Sequence, residues 1–475
     1  MALAMTSALT LPPAATRDDD GLFGGPRRPL TIGLVLVVTL VAFEALAVAT
    51  VMPSAQRELG GLRLYGWAFS AFLLASLIGI TFAGEQCDRH GPTGPFVLGL
   101  VFFAAGLMIS GLAPEMWVLV LGRGVQGLGA GVVPAVAYVT IGRGYDEHLR
   151  PRMFAVLASA WVVPGLIGPG IAAAVAEYTS WRLVFLGLLP IIAIAVVLVL
   201  PALRTLGAPD LPPARERRFV RAIQLALGAG LAIGGLTSGS LLVGAPLAIV
   251  GAAIAMHALL SLVPAGTLRA AKGVPAAIAG NGLLNMAFFG AEAFVPLTLT
   301  TMRGQSTIVA GLALTSATVS WTTGSWIQAR TTDTWERRSM ARAGFAMVGL
   351  GVGGVALVLW PAVPVAIVPV AWGISGLGMG IAYPSFSLIT LAHASDGEEG
   401  RAASALKLNE VLGAALGAGV GGAIVAAGDA GGWERAALAL VFALMAGAAV
   451  LGLVLSSRLP SLKKTSIAVP EIVPA

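Results

Sequence analysis

The sequence predicts an all-α polytopic membrane protein with 14 transmembrane helices, arranged as two pseudo-symmetric six-helix bundles plus an inserted two-helix hairpin. Of its 475 residues, 57% are apolar and only 11% are charged, whereas soluble domains carry about 25% charged residues. Fourteen apolar windows of roughly 20 residues, the length that crosses a hydrocarbon core of about 30 Å, follow one another along the chain. The alternating polarity of outer-membrane barrel strands is absent from the sequence.

We number these windows as spans 1 to 14 in chain order. Their approximate bounds are 31–53, 65–84, 94–113, 116–138, 153–175, 183–202, 221–239, 243–264, 275–299, 307–329, 341–360, 363–391, 402–426 and 433–456.

The basic residues are distributed unevenly between the two sides of the predicted membrane. With the N-terminus inside, 23 of the 29 Lys and Arg residues fall on the inner side and five on the outer side, while Arg123 lies within a span. Because positive residues are retained in the cytoplasm, we expect a protein of the plasma (cytoplasmic, inner) membrane with both termini cytoplasmic. This asymmetry also accounts for the pI of about 9.9, so nucleic-acid binding is not expected.

A Pro- and Arg-rich stretch at 204–220 separates six spans from eight and predicts the main domain boundary. Since a two-fold internal organisation is typical of alternating-access transporters, the two surplus spans predict a hairpin inserted between two six-helix bundles. The predicted segments are a disordered cytoplasmic tail at 1–29, an N-terminal bundle at 30–203, the linker at 204–220, the hairpin at 221–264, a C-terminal bundle at 274–457 and a cytoplasmic tail at 458–475.

Short motifs give the first half of the chain a specific character. They are 84–91 (GEQCDRHG) after span 2, 123–129 (RGVQGLG) in span 4, 164–170 (PGLIGPG) in span 5 and Trp181-Arg182 at the start of span 6. In this order and at these positions they resemble the major facilitator superfamily. The count of fourteen spans resembles its drug:proton antiporter branch.

The match to that branch departs at identifiable positions. The loop after span 2 continues with Pro92 where the family usually has basic residues, and span 5 has Pro164 in place of a usual Gly. Counting back from Pro53, Glu44 falls where the first helix of the branch usually has Asp, so the acid is retained in type and is one methylene longer.

The resemblance implies conformational or gating roles for residues of two motifs. In the loop after span 2, Asp88 would pair with neighbouring helix ends to hold the outward-facing closure, although a solvated turn is the simpler alternative. In span 5, a kink is expected where Pro169 lacks a backbone donor, with close packing alone as the alternative for its glycines. The residues concerned are Asp88, Arg89, Gly91, Gly165, Gly168, Pro169 and Gly170.

Glu44 is a single carboxylate in the middle of span 1, and an acid inside a membrane is a functional candidate because its insertion is costly. At about 1.5 Å per residue, Glu44 of span 1 and Arg123 of span 4 lie at similar depths, which predicts a direct or water-bridged pair. Desolvation and a nearby cation shift a carboxyl pKa in opposite directions. We therefore predict that Glu44 binds and releases a proton, with Arg123 and Gln126 setting its affinity; a static structural pair is the alternative.

Glu292, in the first helix of the second half, is the pseudo-symmetric counterpart of Glu44. By the same rise it lies roughly 7 Å outside the midplane. Three interpretations remain open: a second proton site, a contact for a cationic substrate, or a hydrated residue near the outer mouth.

The predicted substrate cavity is lined by polar and aromatic side chains of several spans. Asn281 and Asn285 are one helical turn apart and share a face, and the aromatic rings could contact an apolar or cationic ligand; hydrogen bonds between helices and simple packing are the alternatives. Lys407 and Glu410 are close enough for a helical pair. The predicted cavity residues are Gln126, Trp161, Asn281, Asn285 and Tyr383.

The sequence favours a proton-coupled secondary active exporter of small amphipathic or lipophilic compounds, typical of multidrug efflux, that works by alternating access. A lipid or glycolipid exporter is the alternative, in which the hairpin 221–264 would admit long substrates laterally. An intramembrane enzyme lacks a recognisable constellation of catalytic residues, and a non-transporting sensor lacks an output domain. With one cysteine and four histidines, no metal or other cofactor is expected; without a Gly-x-x-x-x-Gly-Lys-Ser/Thr loop, nucleotide binding is not expected either. The expected partners are a small molecule, protons and the bilayer, and a monomer is expected.

Overall fold

Fourteen helical spans confirm the predicted fold class. The structure is a computed structural model that describes residues 21–24, 27–207, 218–331, 334–395 and 398–460, and these residues contain helices but no strand. The spans, in order, are Arg28–Leu59, Leu62–His90, Thr93–Gly111, Met116–Gly144, Arg150–Tyr178, Arg182–Leu203, Arg218–Thr237, Leu241–Leu262, Val274–Met302, Thr307–Thr331, Arg337–Leu357, Ile367–His393, Glu399–Gly431 and Glu434–Arg458.

Span 10 is the most polar of the fourteen. Within the described residues, the other thirteen spans are both long and apolar enough to cross a membrane. Span 10 has 25 residues, which is long enough, but it is rich in Thr and Ser. Several of these hydroxyls donate to carbonyls of the preceding turn, as Thr322 does to Thr318 (3.0 Å), so they add little unsatisfied polarity to the helix.

The predicted tails and linker lie largely outside the described residues. Residues 1–20, 25–26, 208–217 and 461–475 are not described. The division of the chain at 29, 204 and 458 therefore stays a prediction.

The helices pack as two groups joined by a hairpin. Span 1 packs on spans 4, 5 and 6, and spans 2, 3 and 4 pack on one another; in the second group, span 12 contacts spans 9, 10, 11 and 13, and span 14 contacts spans 9, 11 and 13. The groups meet where span 2 packs on span 13 and span 5 packs on span 10. Spans 7 and 8 form the hairpin, and span 7 contacts both span 2 and span 13.

We call the face where span 1 begins and span 14 ends the terminal face, and the other one the far face. Within the described residues, the hydrogen bonds between the two groups involve the ends of spans near the far face or residues a few turns below it. They are Tyr65 to the Ala293 carbonyl (3.0 Å), Ser70 to the Ala415 carbonyl (3.0 Å), Ser54 with Thr307 (3.1 Å) and the Thr307 amide to Glu177 (3.1 Å). The groups are thus joined on the far side.

Three spans are interrupted among the described residues, and each interruption precedes a proline. Span 5 breaks at 160–161, just before Pro164, span 6 breaks at 187–188, just before Pro190, and span 9 breaks at 293–294, just before Pro296. Proline has no N–H to donate to the carbonyl four residues earlier, which here belongs to Ala160, Leu186 or Glu292. The helix runs unbroken through Pro169, so the interruption of span 5 lies earlier than the motif at 164–170 predicted.

Candidate functional site

Glu44 and Arg123 form an ion pair inside the N-terminal group. The Nη1 atom of Arg123 donates to Oε1 of Glu44 and also to Oε1 of Gln126 (2.7 Å). Glu44 is 1% exposed and Arg123 2% exposed. The three residues that the sequence analysis grouped around a proton site are therefore in direct contact.

Arg123 also contacts span 2. Its Nε donates to the carbonyl of Ala68 (3.0 Å), and its guanidinium lies over the ring of Phe72, 4.1 Å from the centroid. The guanidinium therefore links spans 1, 2 and 4. A charge this deeply buried is tolerable only when it is paired and hydrogen-bonded, and these contacts supply both conditions.

Glycines of span 4 allow this close assembly. A Cβ added to Gly127 or Gly131 would collide with carbonyls of span 2, and one added to Gly129 would collide with the carbonyl of Gly99 in span 3. Small residues permit such backbone approach between helices in a membrane. The glycines of span 4 therefore let spans 2 and 3 pack closely against it.

One oxygen of the Glu44 carboxylate is not engaged. Oε2 of Glu44 and Nε2 of Gln126 are buried and have no hydrogen-bond partner among the described residues. A carboxylate oxygen in this position can accept a proton while Oε1 stays bound to Arg123.

Glu292 has a different environment. It is 8% exposed, it ends the first helical segment of span 9, and it has no ion pair or hydrogen bond with another described residue. The adjacent residue, Ala293, accepts the hydrogen bond from Tyr65 of span 2. Glu292 therefore lies beside the contact between the two groups.

The predicted cavity residues divide into buried and accessible ones. Asn281 and Asn285 are fully buried: Asn285 donates to the Asn281 carbonyl (2.8 Å), and Asn281 donates to the Leu406 carbonyl of span 13 (3.4 Å). Gln126 is also fully buried. Trp161 is 46% exposed at the break in span 5, and Tyr383 is partly exposed.

The motif at 84–91, which was expected in a loop after span 2, lies mostly in the last turns of that helix, which ends at His90, and it contacts its own group. Asp88 lies 3.6 Å from Arg143 of span 4, and Arg89 pairs with Glu85 one turn earlier (2.5 Å). Gly91 caps the helix with φ = 82°, a left-handed backbone that favours glycine. Asp88 thus pairs with one neighbouring helix end, and no contact with the C-terminal group is seen among the described residues.

The glycines of the span 5 motif differ in their surroundings. A Cβ added to Gly165 would collide with the methyl group of Thr318 in span 10, and one added to Gly168 would touch Phe43 of span 1. At Gly170 such a Cβ would meet nothing within 4 Å. The Pro169 carbonyl lies against Gly311 of span 10, so this motif forms part of the contact between the groups.

A second charged cluster lies in the C-terminal group, and it joins the predicted cavity residue Tyr383 to the predicted helical pair of Lys407 and Glu410. Lys407 donates to Oε1 of Glu410 (2.6 Å), and the Tyr383 hydroxyl donates to Oε2 of the same carboxylate (2.8 Å). Tyr138 of span 4 lies within electrostatic range of both Lys407 and Tyr383. The sequence could have pointed to Tyr138, because it follows Arg123 by 15 residues and so lies only about 60° away around the helix.

The described residues contain no group of three or more His, Cys, Asp or Glu side chains that could hold a metal ion.

Residues 34–418 match the family model of the Major Facilitator Superfamily, which is most of the chain. The chain belongs to the major facilitator superfamily. It is therefore a member of a transporter family, with many membrane-spanning helices, and the resemblance found in its motifs is confirmed.

Relatives within the major facilitator superfamily include efflux transporters. A protein of Mycobacterium tuberculosis (strain ATCC 25618 / H37Rv), named as a probable multidrug-efflux transporter, is 25% identical over 87% of this chain and 91% of its own length. The multidrug transporter protein MdtP of Bacillus subtilis (strain 168) is 31% identical over 36% of this chain and 32% of its own. A crystal structure of the POT family transporter PepTSo superposes with a TM-score of 0.67, at 12% identity, over 90% of this chain and 97% of that one, which shows a shared fold.

Proposed function

We propose that this protein is a proton-coupled antiporter that exports small amphipathic or lipophilic compounds across the cytoplasmic membrane by alternating access. The superfamily membership and the efflux transporters among its relatives support the transport class. The buried pair of Glu44 and Arg123 supports the proton coupling.

The terminal face is the cytoplasmic one in this proposal, because most Lys and Arg residues lie on that side. The two groups are bonded near the far, external face. Tyr138 and Lys407 belong to different groups, lie within electrostatic range of each other on the cytoplasmic side, and are 57% and 52% exposed. The observed conformation is then the inward-facing one, ready to take up substrate from the cytoplasm or the inner leaflet.

The main support for this proposal is the set of contacts by which Arg123 connects Glu44 to the part of span 2 that packs on span 13. Arg123 binds Glu44 on one side and the Ala68 carbonyl on the other. Ala68 lies between Gly66 and Ser70, which both contact span 13. A proton on Glu44 removes the negative charge that holds Arg123, so the guanidinium is free to shift and span 2 to move against span 13.

Glu292 is the second acid available for coupling. Its side chain is buried, has no described partner and lies next to the Tyr65–Ala293 contact between the groups. A lone buried carboxylate is costly, so in this conformation it holds a proton, which it would release when the external side opens to water.

The test is transport in proteoliposomes with an imposed pH gradient. A panel of cationic, neutral and anionic aromatic compounds is screened for uphill movement, while an internal dye reports proton counterflow. Glu44→Gln keeps a carbonyl acceptor for Arg123 but cannot ionise, so we expect it to lose uphill transport and to retain exchange of substrate between the two sides.

Two further variants complete this test. Glu292→Gln is expected to reduce the number of protons moved per substrate or to abolish coupling. Asp429→Asn, an exposed acid near the external end of span 13, is the matched control and should transport like the wild type. Undiminished uphill transport by Glu44→Gln would refute the coupling role of that residue.

A further inference from the structure

The members of the cluster of Tyr383, Lys407 and Glu410 differ in how many of their hydrogen-bonding groups are in use. Glu410 accepts a hydrogen bond at each oxygen, from Lys407 at Oε1 (2.6 Å) and from Tyr383 at Oε2 (2.8 Å). Its side chain is only 15% exposed. This carboxylate is therefore held by the protein and is poorly placed to bind a cation.

Lys407 is the open end of the cluster. Its side chain is 52% exposed, and an ammonium group has three donors, of which one is used by Glu410 among the described residues. It lies eight residues, about 12 Å, from the start of span 13 at Glu399, well inside the span. Two donors and a positive charge thus face open space rather than a protein acceptor.

Residues of both groups border that open space, which we call the cleft. Tyr138 of span 4 belongs to the N-terminal group, yet it lies within electrostatic range of Lys407 and Tyr383. Tyr138 is 57% exposed and stacks on Phe154 of span 5, with ring centroids 5.6 Å apart and planes 25° apart. An exposed aromatic pair on one wall therefore faces an exposed ammonium group on the other.

Arg123, the buried cation of the N-terminal group, cannot serve the same purpose. Arg123 is 2% exposed, and its donors are directed at Glu44, Gln126 and the Ala68 carbonyl. A substrate in the cleft reaches Lys407 without displacing a protein contact of this kind.

We propose that Lys407 binds the carboxylate of an aromatic carboxylic acid in the cleft, while Tyr138 and Phe154 hold its ring system. This inference rests on the proposed transport function and names a substrate class for it. Glu410 and Tyr383 act as positioning residues, because they fix the ammonium group at the wall. An ammonium–carboxylate contact combines charge with hydrogen bonding and is worth more than a neutral hydrogen bond.

The test compares two probes that differ only in charge. Equilibrium dialysis of the purified full-length protein at pH 7 measures binding of radiolabelled 1-naphthylacetate and of its neutral analogue 1-naphthylacetamide. We expect Lys407→Gln to weaken binding of the carboxylate about ten-fold or more, with binding of the amide changed less than about two-fold. Lys407→Arg keeps the charge and should restore carboxylate binding.

Arg401→Gln is the matched control. Arg401 lies on the same span, six residues earlier, in an exposed pair with Glu398 (3.9 Å), so its removal should leave both probes unaffected. An equal loss in Arg401→Gln would show a general effect of charge and overturn the site, as would unchanged carboxylate binding in Lys407→Gln.

Lys407→Gln leaves Glu410 without its cation, so a second variant guards against misfolding. Lys407→Gln/Glu410→Gln removes both charges and should bind the amide but lose the carboxylate; wild-type carboxylate binding in this double variant would refute the proposal. Because dialysis uses no gradient, a failure of proton coupling leaves this result intact. Likewise, loss of the Lys407 effect would not alter the response of transport to the pH gradient.

Discussion

Arg123 of span 4 donates a hydrogen bond from Nε to the carbonyl of Ala68 in span 2, over 3.0 Å. The guanidinium therefore holds the backbone of span 2, whatever side chain occupies position 68. Two residues before and two after Ala68, Gly66 and Ser70 contact span 13 of the other group. A displacement of Arg123 is transmitted directly to the segment that joins the two groups.

The pair of Glu44 and Arg123 should show unequal costs for its two single removals. Glu44→Leu leaves a buried guanidinium that cannot lose its proton, whereas Arg123→Met leaves a carboxyl that can take one up. We expect a loss of about 3–5 kcal/mol for Glu44→Leu, a smaller loss for Arg123→Met, and recovery in the double variant. Thermal unfolding in detergent measures all three. Equal losses in the two single variants, without recovery in the double, would contradict a paired role.

A side chain at Gly66 should force the far face apart. A Cβ added there would lie 2.5 Å from the Ala418 carbonyl and from Cα of Gly422, so Gly66→Val should shift the population towards the state that is open on this side. Spin labels at Glu115 and Ala430, in a Cys87→Ala background, should report a longer distance. Gly447→Val, where an added Cβ would meet nothing within 4 Å, is the control, and an unchanged distance in Gly66→Val would refute the prediction.

The stability lost by adding a side chain at Gly165 should be recovered by a smaller side chain at position 318. Gly165→Ala places a methyl group against the methyl of Thr318, and overpacking of this kind costs about 1–3 kcal/mol. Thr318→Ser removes that methyl, so the double variant should recover the unfolding temperature lost by Gly165→Ala. Gly170→Ala, with open space around it, should unfold like the wild type. Failure of Thr318→Ser to restore stability would show that the strain lies elsewhere.

The hairpin of spans 7 and 8 should move with the N-terminal group. Arg63 donates twice to the Thr237 carbonyl (2.8 and 2.7 Å) and Trp67 donates to the Thr237 hydroxyl (3.1 Å), whereas the contact seen with span 13 is the apolar packing of Ile233 on Gly419. Spin labels at exposed Val243 and Leu121 should keep their distance when Gly66→Val shifts the conformation. Labels at Val243 and Val370 of the other group should change theirs, and the reverse pattern would assign the hairpin to the C-terminal group.

The positions of the spans were predictable because they follow from the preference of apolar side chains for the interior of the membrane. Runs of apolar residues of membrane length located all fourteen spans, including span 10, whose Thr and Ser residues lower its hydropathy but satisfy their hydroxyls within the helix. Interruptions inside spans were harder to predict: Pro164 and Pro296 mark breaks, whereas Pro169 lies in a continuous helix. Proline shows where a donor is missing, and tertiary packing decides whether the helix tolerates the loss.

The candidate site was predictable only in part. The depth of Glu44 and Arg123 in their spans led to the pair, since two opposite charges in a membrane seek each other. The depth of a residue along its span does not show which face of the helix lies towards the space between the two groups. Asn281 turns out to donate to span 13 and Asn285 to its own helix, and Tyr138, which lies within electrostatic range of Lys407 and Tyr383, was not singled out.

The backbone contact between Gly66 of span 2 and Gly422 of span 13 bears on the leakage of protons across the membrane. Here backbone touches backbone with no side chain between, and the peptide groups of both helices are already bonded along their own axes. This contact therefore presents no unpaired peptide group to water, and it leaves no room for a chain of water molecules that could conduct protons. If the protein is the proton-coupled antiporter proposed above, it must not dissipate the gradient that drives it, and this glycine contact would be a barrier to proton leakage that can part and re-form in every cycle.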